Sequence, residues 1–165
     1  MSAIKASVRL IDNGTLALSY KLDCNPDDLM LPLTHPASAA DDLWQHTCCE
    51  AFIAAVNCLE YQEFNFSPSS QWANYRFSDY RVRDTTFIAP AAPQIAVHRR
   101  DNGVQLDVRL GREMLPVAAV WNIGLSIVIE AADGSKSYWA LAHCATQPDF
   151  HHRQSFVLTL NALNP

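Results

Sequence analysis

The sequence predicts an all-β fold of about ten antiparallel strands. Apolar and polar residues alternate with period two in segment after segment, Gly, Asn and Pro turns separate these segments, and helical periodicity is almost absent. Sandwiches and barrels share this pattern, and a two-sheet sandwich is our prediction. The predicted strands cover residues 4–11, 16–22, 47–57, 61–66, 72–77, 94–99, 104–110, 121–129, 137–143 and 155–160.

The first two strands form a predicted hairpin. Residues 4–11 and 16–22 flank an Asp-Asn-Gly turn at 12–14, whose residues tolerate positive φ. The segment 24–40 that follows contains three prolines, which deny it a regular hydrogen-bond ladder. It is therefore predicted to be a long loop.

The middle of the chain predicts a meander of three strands. Residues 47–57 are apolar on both faces, as expected for a central strand that is covered on both sides. Residues 61–66 follow closely as its antiparallel partner, and a Ser-Pro-Ser-Ser turn leads into 72–77. Along this last strand one face carries Trp72 and Arg76, and the opposite face carries Tyr75 and Phe77.

A second Asp-Asn-Gly turn, at 101–103, predicts another hairpin. It joins residues 94–99 to 104–110, and one short helical turn is expected before the chain enters the next strand. Pro116 limits the length of that turn. The last three predicted strands show the same alternation of apolar and polar residues.

Length and composition predict one soluble domain that covers residues 1–165. Hydrophobic residues make up 49% of the chain and charged residues 18%, which is enough apolar surface for one core. The net charge of −5 gives no electrostatic reason to approach nucleic acid or anionic lipid. Lys5 and Arg9 interrupt any secretory h-region, and no run of apolar residues is long enough to span a bilayer, so a cytoplasmic location is expected.

The cysteines are predicted to be free thiols. The chain has five, an odd number, and Cys48 and Cys49 are adjacent, so that they would point to opposite faces of a strand. No pair has the C-x-x-C spacing of a zinc or redox site. Structural zinc is not expected.

Three segments are denser in Trp, Tyr, His and Arg than core packing requires, and they predict a ligand site. A Trp ring offers a flat apolar face to a ligand, while Arg, Glu and His reach its polar groups. Packing of these tryptophans in the core and solvation of Arg76 are the alternatives. The candidate ligand-binding residues are Trp44, His46, Glu50, Trp72, Arg76, Trp139, His143, His151 and His152.

Catalytic and metal sites are not predicted. The sequence has no G-x-S-x-G, Walker or G-x-G-x-x-G motif, and the adjacent histidines 151 and 152 lack the H-E-x-x-H spacing of a zinc enzyme. Glu50 and Glu63 could face each other across neighbouring strands as a glycosidase dyad. The separation of these carboxyls cannot be read from sequence, so this alternative stays open.

Three runs of residues carry a resemblance to a known family. They are Leu-Trp-Gln-His-Thr-Cys-Cys-Glu-Ala-Phe-Ile, Tyr-Gln-Glu-Phe-Asn-Phe-Ser-Pro-Ser-Ser-Gln-Trp-Ala-Asn-Tyr-Arg-Phe and Tyr-Trp-Ala-Leu-Ala-His followed by Pro-Asp-Phe-His-His. In this order, over roughly residues 40 to 160, the chain resembles the DOMON-like domains, and among them small bacterial proteins akin to family 9 carbohydrate-binding modules. It differs from the usual pattern at Ser70, where Gly often stands, and at Cys48-Cys49.

The resemblance implies an immunoglobulin-like or jelly-roll sandwich that binds a sugar through aromatic faces with polar neighbours. Non-catalytic binding of a small molecule or an oligosaccharide, without a cofactor, is therefore the leading hypothesis. The family also contains haem-binding electron carriers. In this chain such a site would need an axial pair formed by Met30 or Met114 with His143 or His152. A glycoside hydrolase is the third hypothesis.

Overall fold

The strands of the protein form two sheets packed together. A computed structural model describes residues 3–162. Its strands are β1 (Ala3–Leu10), β2 (Leu16–Asp23), β3 (Ser38–Ala39), β4 (Cys48–Ala55), β5 (Tyr61–Phe66), β6 (Gln71–Asp79), β7 (Val82–Arg83), β8 (Gln94–Arg100), β9 (Gly103–Leu110), β10 (Val120–Glu130), β11 (Lys136–Ala140) and β12 (Leu158–Asn161). Helical structure in the described residues is limited to three-residue 3-10 turns. The predicted all-β, two-sheet sandwich is confirmed.

The smaller sheet has four antiparallel strands in the order β1-β2-β9-β8. Both Asp-Asn-Gly turns lie in the predicted hairpins of this sheet. The second of them requires its glycine, because Gly103 has a φ of 152° and a Cβ there would collide with the carbonyl oxygen of Leu22.

The larger sheet has eight strands, with the order β11-β10-β4-β5-β6-β3 along its main path. Strand β12 pairs with β10 beyond the end of β11, and β7 pairs with β6. All pairs are antiparallel except the two-residue pair of β3 with β6. The predicted meander is confirmed as β4-β5-β6.

The structure has twelve strands in its described part, against about ten predicted. The additional strands, β3 and β7, have two residues each, too few for an alternation of apolar and polar residues to be recognised. The short helical turn expected near Pro116 is the 3-10 turn Arg112–Met114. The predicted loop 24–40 contains β3 and the 3-10 turn Pro26–Asp28.

The last strands are shorter than predicted. Strand β11 ends at Ala140 rather than at residue 143, because β12 occupies the remaining edge of β10. The segment predicted as strand 155–160 begins at the end of a 3-10 turn, Arg153–Ser155, and Phe156 packs against Gly124. Its ring joins Phe52 and Tyr61 on the larger sheet, which moves the start of the strand to Leu158.

The main core lies between the sheets. It contains side chains of β2 and β9 on one side and of β4, β5 and β10 on the other. The hydroxyl of Tyr20 in β2 donates to the backbone carbonyl of Glu50 in β4 at 2.7 Å, which joins the two sheets through a buried hydrogen bond. We call the side of the larger sheet in this core its inner face and the opposite side its outer face.

The outer face is partly covered as well. Phe52, Ala54, Tyr61, Phe77 and Phe156 form a second buried apolar cluster there. Strand β4 is therefore buried on both faces, and its prediction as a central strand is confirmed. The chain around residues 42–46 and 148–156 also lies against this face and frames the site described below.

Ser70 has a φ of 75°, in the left-handed region that glycine tolerates best. The cysteines Cys24, Cys48 and Cys49 are buried, Cys58 and Cys144 are exposed, and all five thiols are free. Within residues 3–162, no helix is both long and apolar enough to cross a membrane.

Candidate functional site

A cleft of about 390 Å³ opens on the outer face of the larger sheet. Its floor is formed by side chains of β4, β5, β6 and β10, and its walls by β7, β11 and two loops. The volume lies in the range of about 300 to 1,000 Å³ that is typical of small-molecule sites. The lining residues are Asp42, Trp44, Glu50, Phe52, Glu63, Tyr75, Phe77, Arg81, Arg83, Val128, Tyr138, Pro148, Phe150 and His151.

Strand register places two glutamates together on the floor. Glu50 of β4 lies opposite Asn65, and the next outward residue of β4, Phe52, lies opposite Glu63 of β5. Since alternate residues of a strand share a face, Glu50 and Glu63 are diagonal neighbours on the outer face. The exposed fractions of these residues are 3% and 6%.

Both glutamates are poorly compensated. The Glu50 carboxylate accepts a hydrogen bond from the Ser126 hydroxyl at 3.2 Å, and that of Glu63 accepts one from the Asn65 amide at 2.8 Å. Burial and the charge of Glu63 raise the pKa of Glu50 well above its ordinary value, and burial also raises the pKa of Glu63. The floor therefore favours carboxyls that hold a proton or meet a donor from a ligand.

His151 closes one end of the floor. Its Nδ1 lies 2.8 Å from the Tyr61 hydroxyl, and its Nε2 lies 3.6 Å from Glu63 Oε2. The imidazole meets the rings of Phe52 and Phe77 edge-on, with centroids about 5 Å apart. Burial and the charge of Arg81 lower the pKa of His151 to about 4, so that this histidine is neutral at physiological pH.

Two arginines stand at the rim, and each is already paired. The Arg81 guanidinium donates to Asp149 at 2.8 Å, and this carboxylate also accepts a hydrogen bond from the Tyr80 hydroxyl. Arg83 lies over the ring of Tyr75 at 3.9 Å and forms a longer ion pair with Asp41, at 3.7 Å. The rim is therefore ordered by contacts within the protein.

The cleft also presents aromatic surface to solvent. Trp44, in the 3-10 turn Leu43–Gln45, has an exposed fraction of 49%, and Tyr138 of β11 is also half-exposed. The Phe150 ring packs beside Tyr138, with centroids 6.4 Å apart. A planar ligand face can lie against these rings while its polar edge reaches the glutamates.

The structure brings together three of the nine residues that sequence analysis nominated. Trp44, Glu50 and His151 line the cleft. Trp72 and Arg76 lie on the inner face, because they pair with Phe66 and Gln62, whereas Tyr75 and Phe77 of the same strand face the cleft. The guanidinium of Arg76 is occupied by Asp84, to which its Nε donates at 3.0 Å. The sequence-based grouping of Trp72 and Arg76 with Trp44 is therefore wrong in space.

Trp139 also lies outside the cleft. It pairs with Ile127, an inner-face residue, and it borders a small apolar groove with Ile4 and Tyr20. Its neighbour Tyr138 points to the outer face instead. The prediction of Trp139 as a cleft residue is not met, because neighbouring residues of a strand point to opposite faces and Tyr138 is the one that lines the cleft.

The other histidines have separate surroundings. His46 Nδ1 lies 2.7 Å from Glu130 Oε2 on the surface. The ring of His143 lies 6.2 Å from that of Phe150, and neither His143 nor His152 lines the cleft. Of the methionines considered for a haem site, Met114 is buried in the main core and Met30 is exposed.

Several lining residues were not nominated from sequence. Arg81 and Arg83 reach the rim because β7 folds back on β6 after a register shift between Phe77 and Asp79. No local sequence motif predicts this shift. The sequence predicts Glu63 only as half of a catalytic pair. Its place on the outer face follows from the predicted β4-β5 pairing.

Comparisons with known proteins bear on the fold. No protein-family model matches the chain, and no curated protein matches it. Among solved structures, a Bacteroides uniformis protein assigned as carbohydrate-binding has a TM-score of 0.68 at 12% identity, with 96% of this chain and 78% of that chain covered. A family 9 carbohydrate-binding module from Caldicellulosiruptor kristjanssonii, in complex with glucose, has a TM-score of 0.46 at 12% identity, with 84% and 66% covered. The first similarity shows a shared fold.

Proposed function

We propose that the protein binds a carbohydrate in the outer-face cleft and does not catalyse a reaction on it. The observation that carries this proposal is the combination of exposed Trp44 and Tyr138 rings with the buried carboxyls of Glu50 and Glu63 in one cleft. Sugars have apolar C–H faces that stack on aromatic rings and hydroxyl edges that donate to carboxylates. The cleft offers a partner to each.

The fold supports the proposal. The Bacteroides uniformis protein with this fold is assigned to carbohydrate binding, and the sequence motifs resemble DOMON-like domains akin to family 9 modules. Fold similarity alone does not transfer a ligand, so the argument rests on the side chains of this cleft. Only some of the residues that the sequence motifs predicted are among the side chains that line this cleft.

Glu50 and Glu63 project from neighbouring strands of one sheet face, so both approach a ligand from the floor of the cleft. In this position they serve as hydrogen-bond acceptors for a sugar edge. The non-catalytic part of the proposal rests on the resemblance to carbohydrate-binding modules and not on the position of these carboxyls.

Two tryptophans provide a matched test of the proposal. Trp44 and Trp139 have similar exposed fractions, 49% and 45%, but only Trp44 lines the cleft. We expect Trp44→Ala to weaken binding by about 1 to 3 kcal/mol, because an interface anchor is lost, and Trp139→Ala to leave binding unchanged. A glycan array would select the ligand, and isothermal titration calorimetry would measure its affinity for each variant.

Two results would count against the proposal. If no saccharide binds the wild-type protein, carbohydrate binding is refuted. If Trp139→Ala loses affinity and Trp44→Ala does not, the ligand lies on the other side of the sheet, beside β1.

A further inference from the structure

The floor of the cleft has carboxyl groups without a matching cation. Among residues 3–162, the hydrogen bond from Ser126 is the one that the Glu50 carboxyl accepts, and the donor is neutral. The Glu63 carboxyl accepts from the neutral Asn65 amide, and the nearby His151 is itself held in its neutral form. Neither glutamate therefore has a charged partner in direct contact.

The charges of Arg81 and Arg83 act on Glu63 from a distance and lower its pKa, but neither arginine forms an ion pair with a carboxyl of the floor. Arg81 is bound to Asp149, and Arg83 to Asp41 and the face of Tyr75. Asp42 adds a further carboxyl to the cleft lining. Around the cleft, two guanidinium groups thus stand against five carboxyl groups, and the two glutamates on the floor are the most deeply buried of these.

Buried carboxylates are stable only when they are neutralised or paired. In the free protein burial raises the pKa of both groups, which favours a bound proton at this site. A ligand that carries a cation could take the place of that proton. The walls suit such a ligand too, because the faces of Trp, Tyr and Phe rings attract ammonium groups.

We propose that the preferred ligand of this cleft is an amino sugar, with its ammonium group placed on the floor between Glu50 and Glu63. This inference rests on the proposed carbohydrate binding and specifies the class of sugar. The sugar ring would lie against Trp44 and Tyr138 at the opening, and the ammonium would donate to the two carboxylates. A neutral sugar would form the same stacking contacts but only neutral-donor hydrogen bonds.

Three disaccharides with the same β-1,4 linkage test this inference, because they differ only at carbon 2. They are the glucosamine disaccharide, its di-N-acetylated counterpart and cellobiose, which carry an ammonium, a neutral amide and a hydroxyl. Calorimetry at about pH 6 keeps the amine protonated. We expect the glucosamine disaccharide to bind about tenfold or more tightly than the other two, the difference typical of a charge-assisted hydrogen bond.

Glu50→Gln removes the charge and keeps the shape, so it should reduce this preference to near unity. Glu63→Gln is a second variant with the same expected outcome. Glu60→Gln removes one exposed carboxyl outside the cleft and should leave the preference unchanged.

The outcomes separate the two proposals. Equal or tighter binding of cellobiose overturns the amino-sugar inference while the proposed carbohydrate binding stands. A preference for the amine that persists in both glutamate variants also overturns the inference, because the charge would then act elsewhere. Absence of binding by all three disaccharides and by every glycan on the array overturns both.

Discussion

Phe52→Ala is expected to lower the free energy of unfolding by about 3 to 5 kcal/mol and to weaken ligand binding as well. Phe52 is 2% exposed and stands at the centre of the outer-face cluster, with ring centroids 5.1 Å from His151, 5.7 Å from Phe156 and 6.5 Å from Tyr61. Removing it leaves a cavity under the floor of the cleft. Urea unfolding of the wild-type and variant proteins would measure the change.

Trp44→Ala is the control for this prediction. Its ring is half-exposed, so the loss of apolar burial is small and stability should change by less than about 1 kcal/mol. If Phe52→Ala costs as little as Trp44→Ala, the outer face is not a second packed core, and the floor of the cleft is less rigid than the structure implies.

His151 is expected to make the protein less stable as the pH falls from about 6.5 to about 4. Its pKa is about 4 in the folded protein, against 6.5 in the unfolded chain, because burial disfavours the imidazolium. The unfolded chain therefore binds more protons in this window, and stability falls with pH. The stabilising contribution is complete above pH 6.5 and amounts to about 3 kcal/mol, from the difference between the two pKa values.

The glutamates act in the opposite direction in part of the same window. Their pKa values are raised in the folded protein, so their contribution to stability is complete below the unfolded pKa and is lost as pH rises through the folded values. The measurement should therefore compare the wild type with His151→Gln by urea unfolding from pH 7.5 to pH 4. We expect the difference in unfolding free energy to change by about 3 kcal/mol over this range. A constant difference would show that His151 is not buried as described.

The central part of the fold could be predicted from sequence because its patterns are local. Apolar residues on both faces identified β4 as a strand covered on both sides, and the Asp-Asn-Gly turns located two hairpins. The pairing of β4 with β5 followed from the short connection between them. That pairing places Glu50 and Glu63 on adjacent strands.

The site could be predicted only in part, because alternation shows which residues share a face but not which face binds a ligand. Strand β6 lies near the edge of the sheet, and both of its faces are half-buried. The face that carries Trp72 and Arg76 resembles a ligand site in its composition, but it is the inner face. On β11, likewise, alternation puts Tyr138 and Trp139 on opposite faces but does not show which of the two faces the cleft. His151 reaches Tyr61, ninety positions earlier in the chain, through a loop whose path no periodicity describes.

The central claim, that a saccharide binds in the outer-face cleft, can be tested by observing the indole N–H groups directly. The four tryptophans each give one indole signal in a ¹H–¹⁵N correlation spectrum, and each can be assigned by single substitution. During titration with the selected saccharide we expect the signal of Trp44 to shift, while those of Trp72, Trp121 and Trp139, all outside the cleft lining, stay in place. A titration that shifts Trp139 or Trp72 and leaves Trp44 unchanged would contradict the account.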